Sequence, residues 1–284
     1  GKKLSVEVGK IALHAGGSCL VQYGETTVLA SATMSNNIRP GISFFPLMVD
    51  YEEKLYAVGK IKGSRFIKRE GRPTDEAVLT GRMVDRGFRP LFDQSIKNDV
   101  QVITSALSYD TVNPPDVVAI IAGSIALHIS DIPWAGPLVG VRVGYVDGEY
   151  ILNPTVEQLE QSPLDLTFSA SKDKVLMVES GAHEVDEDIY YGAFEFGLQQ
   201  AAPIIDFINM IRDEVGKEKR VMEKSEIVLG DGEVFTQEEY DTLHNEVQTF
   251  LGEKWKTYLF NVKTGTKKER KKTLEKAKEE ALEY

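Results

Sequence analysis

Arg82, Arg86 and Arg89 stand at i, i+4 and i+7. On a helix that spacing places all three within a few tens of degrees of one another. Guanidiniums so close repel unless an anion or several carboxylates neutralise them. Their paired N–H donors match phosphate oxygens, so RNA or inorganic phosphate is one ligand class this stripe could serve. The competing reading is structural, with the arginines paired to carboxylates such as Asp85 or to acids on a neighbouring subunit. Spacing alone leaves both open. A second group lies upstream, in Gly63-Ser64-Arg65-Phe66-Ile67-Lys68-Arg69-Glu70-Gly71-Arg72-Pro73. An aromatic among cations can stack on a base while Lys68, Arg69 and Arg72 hold phosphates. The alternative is a solvated basic loop with Phe66 in the core.

Other chemistries find little support. No phosphate-loop or dinucleotide fingerprint occurs. The histidines at 14, 128, 183 and 244 show no metal-ligand spacing, and one cysteine, Cys19, can form neither an internal disulfide nor a cysteine zinc site. His14 and Cys19 could be imagined as base and nucleophile, but an isolated histidine and a small strand residue is the simpler reading. Asp165 alternates with Leu164 and Leu166 in a strand pattern, with no carboxylate partner nearby in sequence. The formal net charge is −11, yet residues 60–89 hold nine Lys/Arg against four acids, +5, which leaves −16 elsewhere. One concentrated basic segment on an acidic body points to a local anion site. Hydrophobic content of 42%, no long apolar run and no signal-peptide core lead us to expect a cytoplasmic, metal-independent scaffold.

The elements that must position these residues follow from periodicity and turn chemistry. Alternation at Leu4, Val6 and Val8, then runs at 19–23 and 27–34 around Gly24-Glu25, predict strands and a hairpin. Residues 44–51 read as a further strand, and 54–73 mainly as loop. Thr74 is a plausible N-cap for a helix to about Phe88, closed near Arg89-Pro90. Strand 99–108 leads to a helix over 117–129 that is apolar nearly all round, hence buried. Strand 139–145 turns at Asp147-Gly148 into 149–152. Strands 164–170 and 175–179 precede a long helix from about 186 to 215, with a bend expected at Pro203. After Gly216 the chain becomes polar, charged and helical, with capping boxes at Thr236–Glu239 and Thr266–Glu269. The pattern predicts an α+β core over 1–216 and a small all-α domain over 217–284.

Blocks in a fixed order carry a resemblance to a known family. They are Phe44-Phe45-Pro46-Leu47-Met48-Val49-Asp50-Tyr51, the 63–73 loop, Arg82-Met83-Val84-Asp85-Arg86-Gly87-Phe88-Arg89-Pro90-Leu91-Phe92, and Leu138-Val139-Gly140-Val141-Arg142-Val143-Gly144-Tyr145. Leu152-Asn153-Pro154-Thr155 and Val175-Leu176-Met177-Val178-Glu179-Ser180 continue the series. Over roughly residues 4–216 the chain resembles polynucleotide phosphorylase, and the helical remainder is similar to that family's linker domain.

The resemblance implies a first ribonuclease PH-type core: mixed β-sheets packed with helices, ribosomal protein S5 domain 2-like. It implies a longer protein that degrades RNA from the 3′ end with inorganic phosphate as co-substrate, releasing nucleoside diphosphates. Magnesium would act in a second core beyond this sequence. It further implies a homotrimeric ring, single-stranded RNA as ligand and possible RNA-degradation partners. The family's aromatic-aromatic-Arg-Arg channel loop matches Phe66-Ile67-Lys68-Arg69, with Ile67 replacing an aromatic and Arg65 extra. Arg72, Arg82, Arg86 and Arg89 match basic positions of the family, so the implied RNA-binding set is Phe66, Lys68, Arg69, Arg72, Arg82, Arg86 and Arg89. Aligned with the catalytic core, Asp165 takes the place of one aspartate. Leu159 and Thr167 stand where the other aspartate and a lysine belong, and Asn113-Pro114-Pro115-Asp116 replaces a serine-rich phosphate loop. No residue of this half is therefore expected to be catalytic. Rival readings are a non-catalytic RNA-binding ring subunit of an exosome-like assembly and a purely structural oligomerisation module.

Overall fold

A computed structural model describes residues 2–39, 41–42, 44–61, 63, 71–172, 174–222, 227–228, 234–260 and 267–283. The chain divides into two compact units, Gly1–Met222 and Glu223–Tyr284. In the first unit, β1 (Leu4–Val8), β2 (Gly17–Tyr23), β3 (Thr26–Ile38), β4 (Leu47–Glu53) and β5 (Asn98–Ser108) form one sheet in the order β1-β2-β3-β5-β4. In β3 the residues Thr26, Val28, Ala30 and Ala32 are buried and alternate with half-buried neighbours. One face of the sheet therefore carries the core. Most pairs are antiparallel, but β4 and β5 run parallel. A parallel pair needs a crossover. Helix α1 (Asp75–Phe88) supplies it and packs on β4. As its spacing predicts, Thr74 caps α1: the Ala77 N–H donates to Thr74 Oγ1 at 3.1 Å.

Helix α2 (Pro115–Ile129) is buried without interruption from Val117 to Ile129. It packs against β2, β3 and β5 on one side and against the second sheet on the other. That sheet contains β6 (Val139–Val146), β7 (Glu149–Leu152), β8 (Leu164–Ala170) and β9 (Val175–Ala182) in the order β7-β6-β8-β9. The β6–β7 hairpin turns through Asp147 and Gly148 with φ of 52° and 83°, the positive pair that a tight two-residue turn requires. A short helix α3 (Val156–Gln161) separates β7 from β8, and α4 (Glu187–Val215) covers β6, β7 and β8. The strand reading misses α3, although Thr155 and Gln158 form its capping box. A 3-10 helix at Leu55–Val58 likewise interrupts the expected loop.

Two glycines let α2 approach both sheets. A Cβ on Gly17 of β2 would lie 2.2 Å from the Ala126 carbonyl oxygen, and one on Gly140 of β6 would lie 2.8 Å from Ile120. Each large aliphatic side chain that α2 buries between the sheets contributes about 1.5–3 kcal/mol. Removing the glycines would hold the surfaces apart.

The end of α2 is tied to the segment after Gly216. Lys217 N–H donates to Ile129 O at 2.9 Å and Arg220 N–H to Asp131 O at 2.7 Å. The Lys219 ammonium donates to Leu127 O and Ser130 O, 2.8 Å each, so a cation meets the negative end of the helix dipole. Residues 217–222 thus belong with the first unit. The second unit holds β10 (Ile227–Val228) paired with β11 (Val234–Phe235), then α5 (Gln237–Phe260) and α6 (Lys267–Glu283). Thr236 and Glu239 close a reciprocal capping box at α5. The second expected box begins at Thr266, outside the described residues.

Two outcomes follow from α2. Gly17→Ala should cost about 3 kcal/mol, because a backbone carbonyl cannot yield, whereas Gly181→Ala, with open space around it, should stay within about 0.5 kcal/mol. Urea midpoints of the two variants test the contrast. His128, near the end of α2, is 6% exposed and its Nε2 lies 3.1 Å from Asn209 Oδ1. Burial pushes its pKa down to about 4, against the Asn209 bond and with help from the Lys219 and Arg212 charges. Between about pH 6.5 and pH 4 the unfolded chain binds the extra proton, so stability should fall with acidification, by on the order of 3 kcal/mol across that window. Unfolding monitored through Trp fluorescence should show this slope, and His128→Gln should flatten it.

Candidate functional site

A cleft of about 570 Å³ opens between α1, the start of α2 and the second sheet. Its cations are Arg82 and Arg86 of α1 and Arg142 of β6, and its acids are Asp116 of α2, Asp165 of β8 and Glu179 of β9. Three charges of each sign make the lining formally neutral. Pairing, rather than net charge, decides what remains available to a ligand.

Arg142 is the most committed of these groups. Its Nε and Nη2 donate to the two carboxylate oxygens of Asp165 at 2.6 and 2.5 Å, and its Nη1 donates to Asp116 Oδ2 at 3.0 Å. The side chain is only 18% exposed. Burial works against its charge, but the Asp165 hydrogen bonds and the nearby Asp116 more than offset this and hold the pKa above the ordinary value. The fork geometry of a guanidinium suits such a bridge, which an ammonium could not reproduce. It ties the first turn of α2 to adjacent strands of the second sheet.

The predicted arginine stripe separates into different environments. Arg82 and Arg86 are exposed at the cleft, but Arg86 pairs with Glu179 across on β9 and has Met177 Sδ at 3.9 Å. Arg89 donates to Asp85 at 3.1 and 2.6 Å and to Leu47 O at 3.1 Å, with its guanidinium 6.0 Å from the Phe45 ring. This is the structural pairing that the Asp85 alternative describes. Arg82 has no ion pair with any of the described residues. Arg72 is exposed ahead of the α1 cap and does not line the cleft. Phe66, Lys68 and Arg69 lie outside the described residues.

Thr167 sits on β8 beside this bridge, directly across from Arg142 and Glu179 in the strand register. Leu159 is on α3. Asp116 and Asp165 are both engaged by one guanidinium, which offsets their charge and competes with a magnesium ion for the same carboxylates. Among the described residues no three His, Cys, Asp or Glu side chains converge on a metal position. Cys19 is buried beneath α2 with its thiol donating to Ala122 O, and burial pushes its pKa up to about 12, which disfavours the nucleophilic thiolate. His14 is exposed.

Sequence reasoning missed Arg142 as a site residue. The available signal was a single cation in the strand Val139-Gly140-Val141-Arg142-Val143, together with Asp165 in another apolar strand. Two charges of opposite sign in strands that pair within one sheet are candidates for a partly buried bridge. Glu179, the partner of Arg86, was equally hidden.

Arg142→Met should leave two carboxylates close together without their cation. The expected loss is about 3 kcal/mol, at the low end for breaking a buried pair because Asp165 keeps 39% of its side-chain surface exposed. Adding Asp165→Leu should recover part of that loss in chemical denaturation.

Comparison with known proteins agrees with this architecture. The model of the 3′ exoribonuclease family matches its domain 1 over residues 1–133 and its domain 2 over residues 136–200. The polyribonucleotide nucleotidyltransferase of Alkaliphilus oremlandii is 47% identical over 285 aligned residues, which cover 100% of this chain and 38% of that protein. The enzyme of the same name from Heliobacterium modesticaldum is 52% identical over 220 residues, 78% of this chain and 31% of that protein. The chain thus spans well under half the length of these curated relatives. Among solved structures, rice Rrp46 shares the fold, with a TM-score of 0.60 at 18% identity, over 73% of this chain and 93% of that one. The two sheets, the buried α2 between them and the family match together establish that this chain belongs to the 3′ exoribonuclease family, as a relative of the polyribonucleotide nucleotidyltransferases.

Proposed function

We propose that this chain is the amino-terminal half of a polynucleotide phosphorylase, a half that holds RNA and helps build a ring but performs no phosphoryl transfer itself. The observation that carries the reading is the Arg142 bridge. Phosphorolysis joins an inorganic phosphate to the 3′-terminal phosphorus and expels the shortened RNA, so charge grows on oxygens that a cation must stabilise. In this cleft the internal cation and both carboxylates near it satisfy one another. Magnesium and phosphate then act in a second core, in sequence not present here.

RNA contact falls to the remaining cations. Arg82 is the strongest candidate on α1, since no acid among the described residues competes for it. Arg86 can exchange its exposed Glu179 partner for a phosphate at little cost, because exposed ion pairs contribute about 0–1 kcal/mol. Arg89, held by Asp85 and a backbone carbonyl, serves mainly to fix the end of α1. Lys68, Arg69 and Arg72, with Phe66, supply the basic loop that the resemblance assigns to the channel constriction. A homotrimeric ring and a cytoplasmic location complete the reading.

The chain alone, with magnesium and phosphate, is expected to release no nucleoside diphosphate from poly(A). It should bind single-stranded RNA with an affinity that falls steeply as salt rises. Lys68→Ala/Arg69→Ala/Arg72→Ala should abolish that binding. Arg82→Ala should weaken it and reduce the logarithmic salt slope by about one. Arg89→Ala should instead lower the unfolding midpoint. Robust release of diphosphates by purified chain would overturn the proposal.

A further inference from the structure

A second cavity, about 360 Å³, adjoins the cleft and shares Arg142 and Asp116 with it. The RNA reading leaves it unused. Its size lies toward the small end of ligand pockets, which run roughly 300–1,000 Å³. That is room for a ring system with a short polar tail, not for a threaded chain. Its floor is apolar: Val118 and Ile121 of α2 are 2% and 3% exposed, and Ile204 of α4 packs beside them.

Half of its fourteen lining residues carry polar side chains, and two of these, Arg142 and Asp116, satisfy one another. Lys2 donates to the Asn113 side chain and lies 5.9 Å from the Tyr23 ring, and no carboxylate among the described residues pairs with it. Gln200, projecting from α4, has a carboxamide that bonds to none of the described residues. Asn153 on the same lining is held at a φ of 46°, its Oδ1 accepting the Arg142 backbone N–H at 3.0 Å. The cavity therefore offers an apolar floor, an aromatic ring, one uncommitted donor–acceptor pair and one cation without an acid.

We infer that this cavity binds a nucleoside diphosphate, with the base over the Val118–Ile121 floor and the phosphates at Lys2. A carboxamide can meet a base edge with paired hydrogen bonds, as Gln does with adenine. An aromatic face adds stacking, and an ammonium meets phosphate through charge-assisted bonds. The choice of diphosphate rests on the proposed phosphorolysis, which releases that class of product. The pocket is then a place where product is sensed or held, apart from the RNA-binding cations.

Isothermal titration of the 284-residue chain with ADP, GDP, CDP and UDP in turn tests this, with inorganic pyrophosphate as the control anion. At least one diphosphate should bind with one-to-one stoichiometry, and pyrophosphate should not. Gln200→Ala and Lys2→Gln should each weaken that binding roughly tenfold, about the effect of losing one strong hydrogen bond, with unchanged thermal midpoints. Val118→Phe, which fills the floor, should abolish it. Arg82→Ala, in the neighbouring cleft, should leave it intact. The inference fails if none of the four diphosphates binds, if pyrophosphate binds as tightly, or if Arg82→Ala removes the binding while Gln200→Ala does not. Phosphorolysis by a longer protein that includes the second core is assayed separately. Its absence alongside intact diphosphate binding would sink the enzyme reading and leave the pocket standing.

Discussion

The burial of one helix between two sheets sets the terms for the rest of the first unit. Helix α2 has no polar face, so it is stable only where both sheets cover it. That demand explains Gly17 and Gly140, small residues on opposite sheets at the points of closest approach. It also explains why the helix ends are finished by groups distant in sequence. Arg142 reaches Asp116 in the first turn, and Lys219 reaches the last carbonyls. Between those ends α2 is buried and almost wholly apolar, and the charged groups that hold it lie at its two termini.

At the start of α2 the electrostatics resolve into a hierarchy. Arg142 is shielded from solvent and pairs with two acids, so its charge is spent on holding the structure. Arg86 and Glu179 pair in the open, where solvent screens them and exchange for another anion is cheap. Arg82 stands without an acid among the described residues. A net count over the cleft gives zero, yet these arginines differ widely in what they can offer a phosphate. Burial and partner geometry make that difference, and neither is a property of the residue type.

Sequence periodicity carried much of the architecture. The apolar run at 117–129 read as a buried helix, Asp147-Gly148 as a tight turn, and Thr74 followed by acids as a helix start, and the structure holds all three. These are local signals: each depends on neighbours within a few residues, and tertiary packing had no reason to override them. The helix α3 was legible as well, through Thr155 and Gln158, but its shortness hid it among strand signals. The parallel pairing of β4 with β5 was not legible, because strand direction depends on where a crossover lands.

The amino-acid sequence by itself determined the α+β character, the basic segment at 60–89, the helical phase of Arg82, Arg86 and Arg89, and the ordered blocks that carry the family resemblance. Only the tertiary structure decided which of those arginines are available. Helical phase says that three side chains leave one face, but not that β4 and Asp85 take Arg89 while β9 meets Arg86. Nor could spacing bring Asp116, Arg142 and Asp165 together, since they sit in three separate elements. Folding α2 against β6 and pairing β6 with β8 creates that contact, because charges that lose their water must find partners wherever the packed chain presents them.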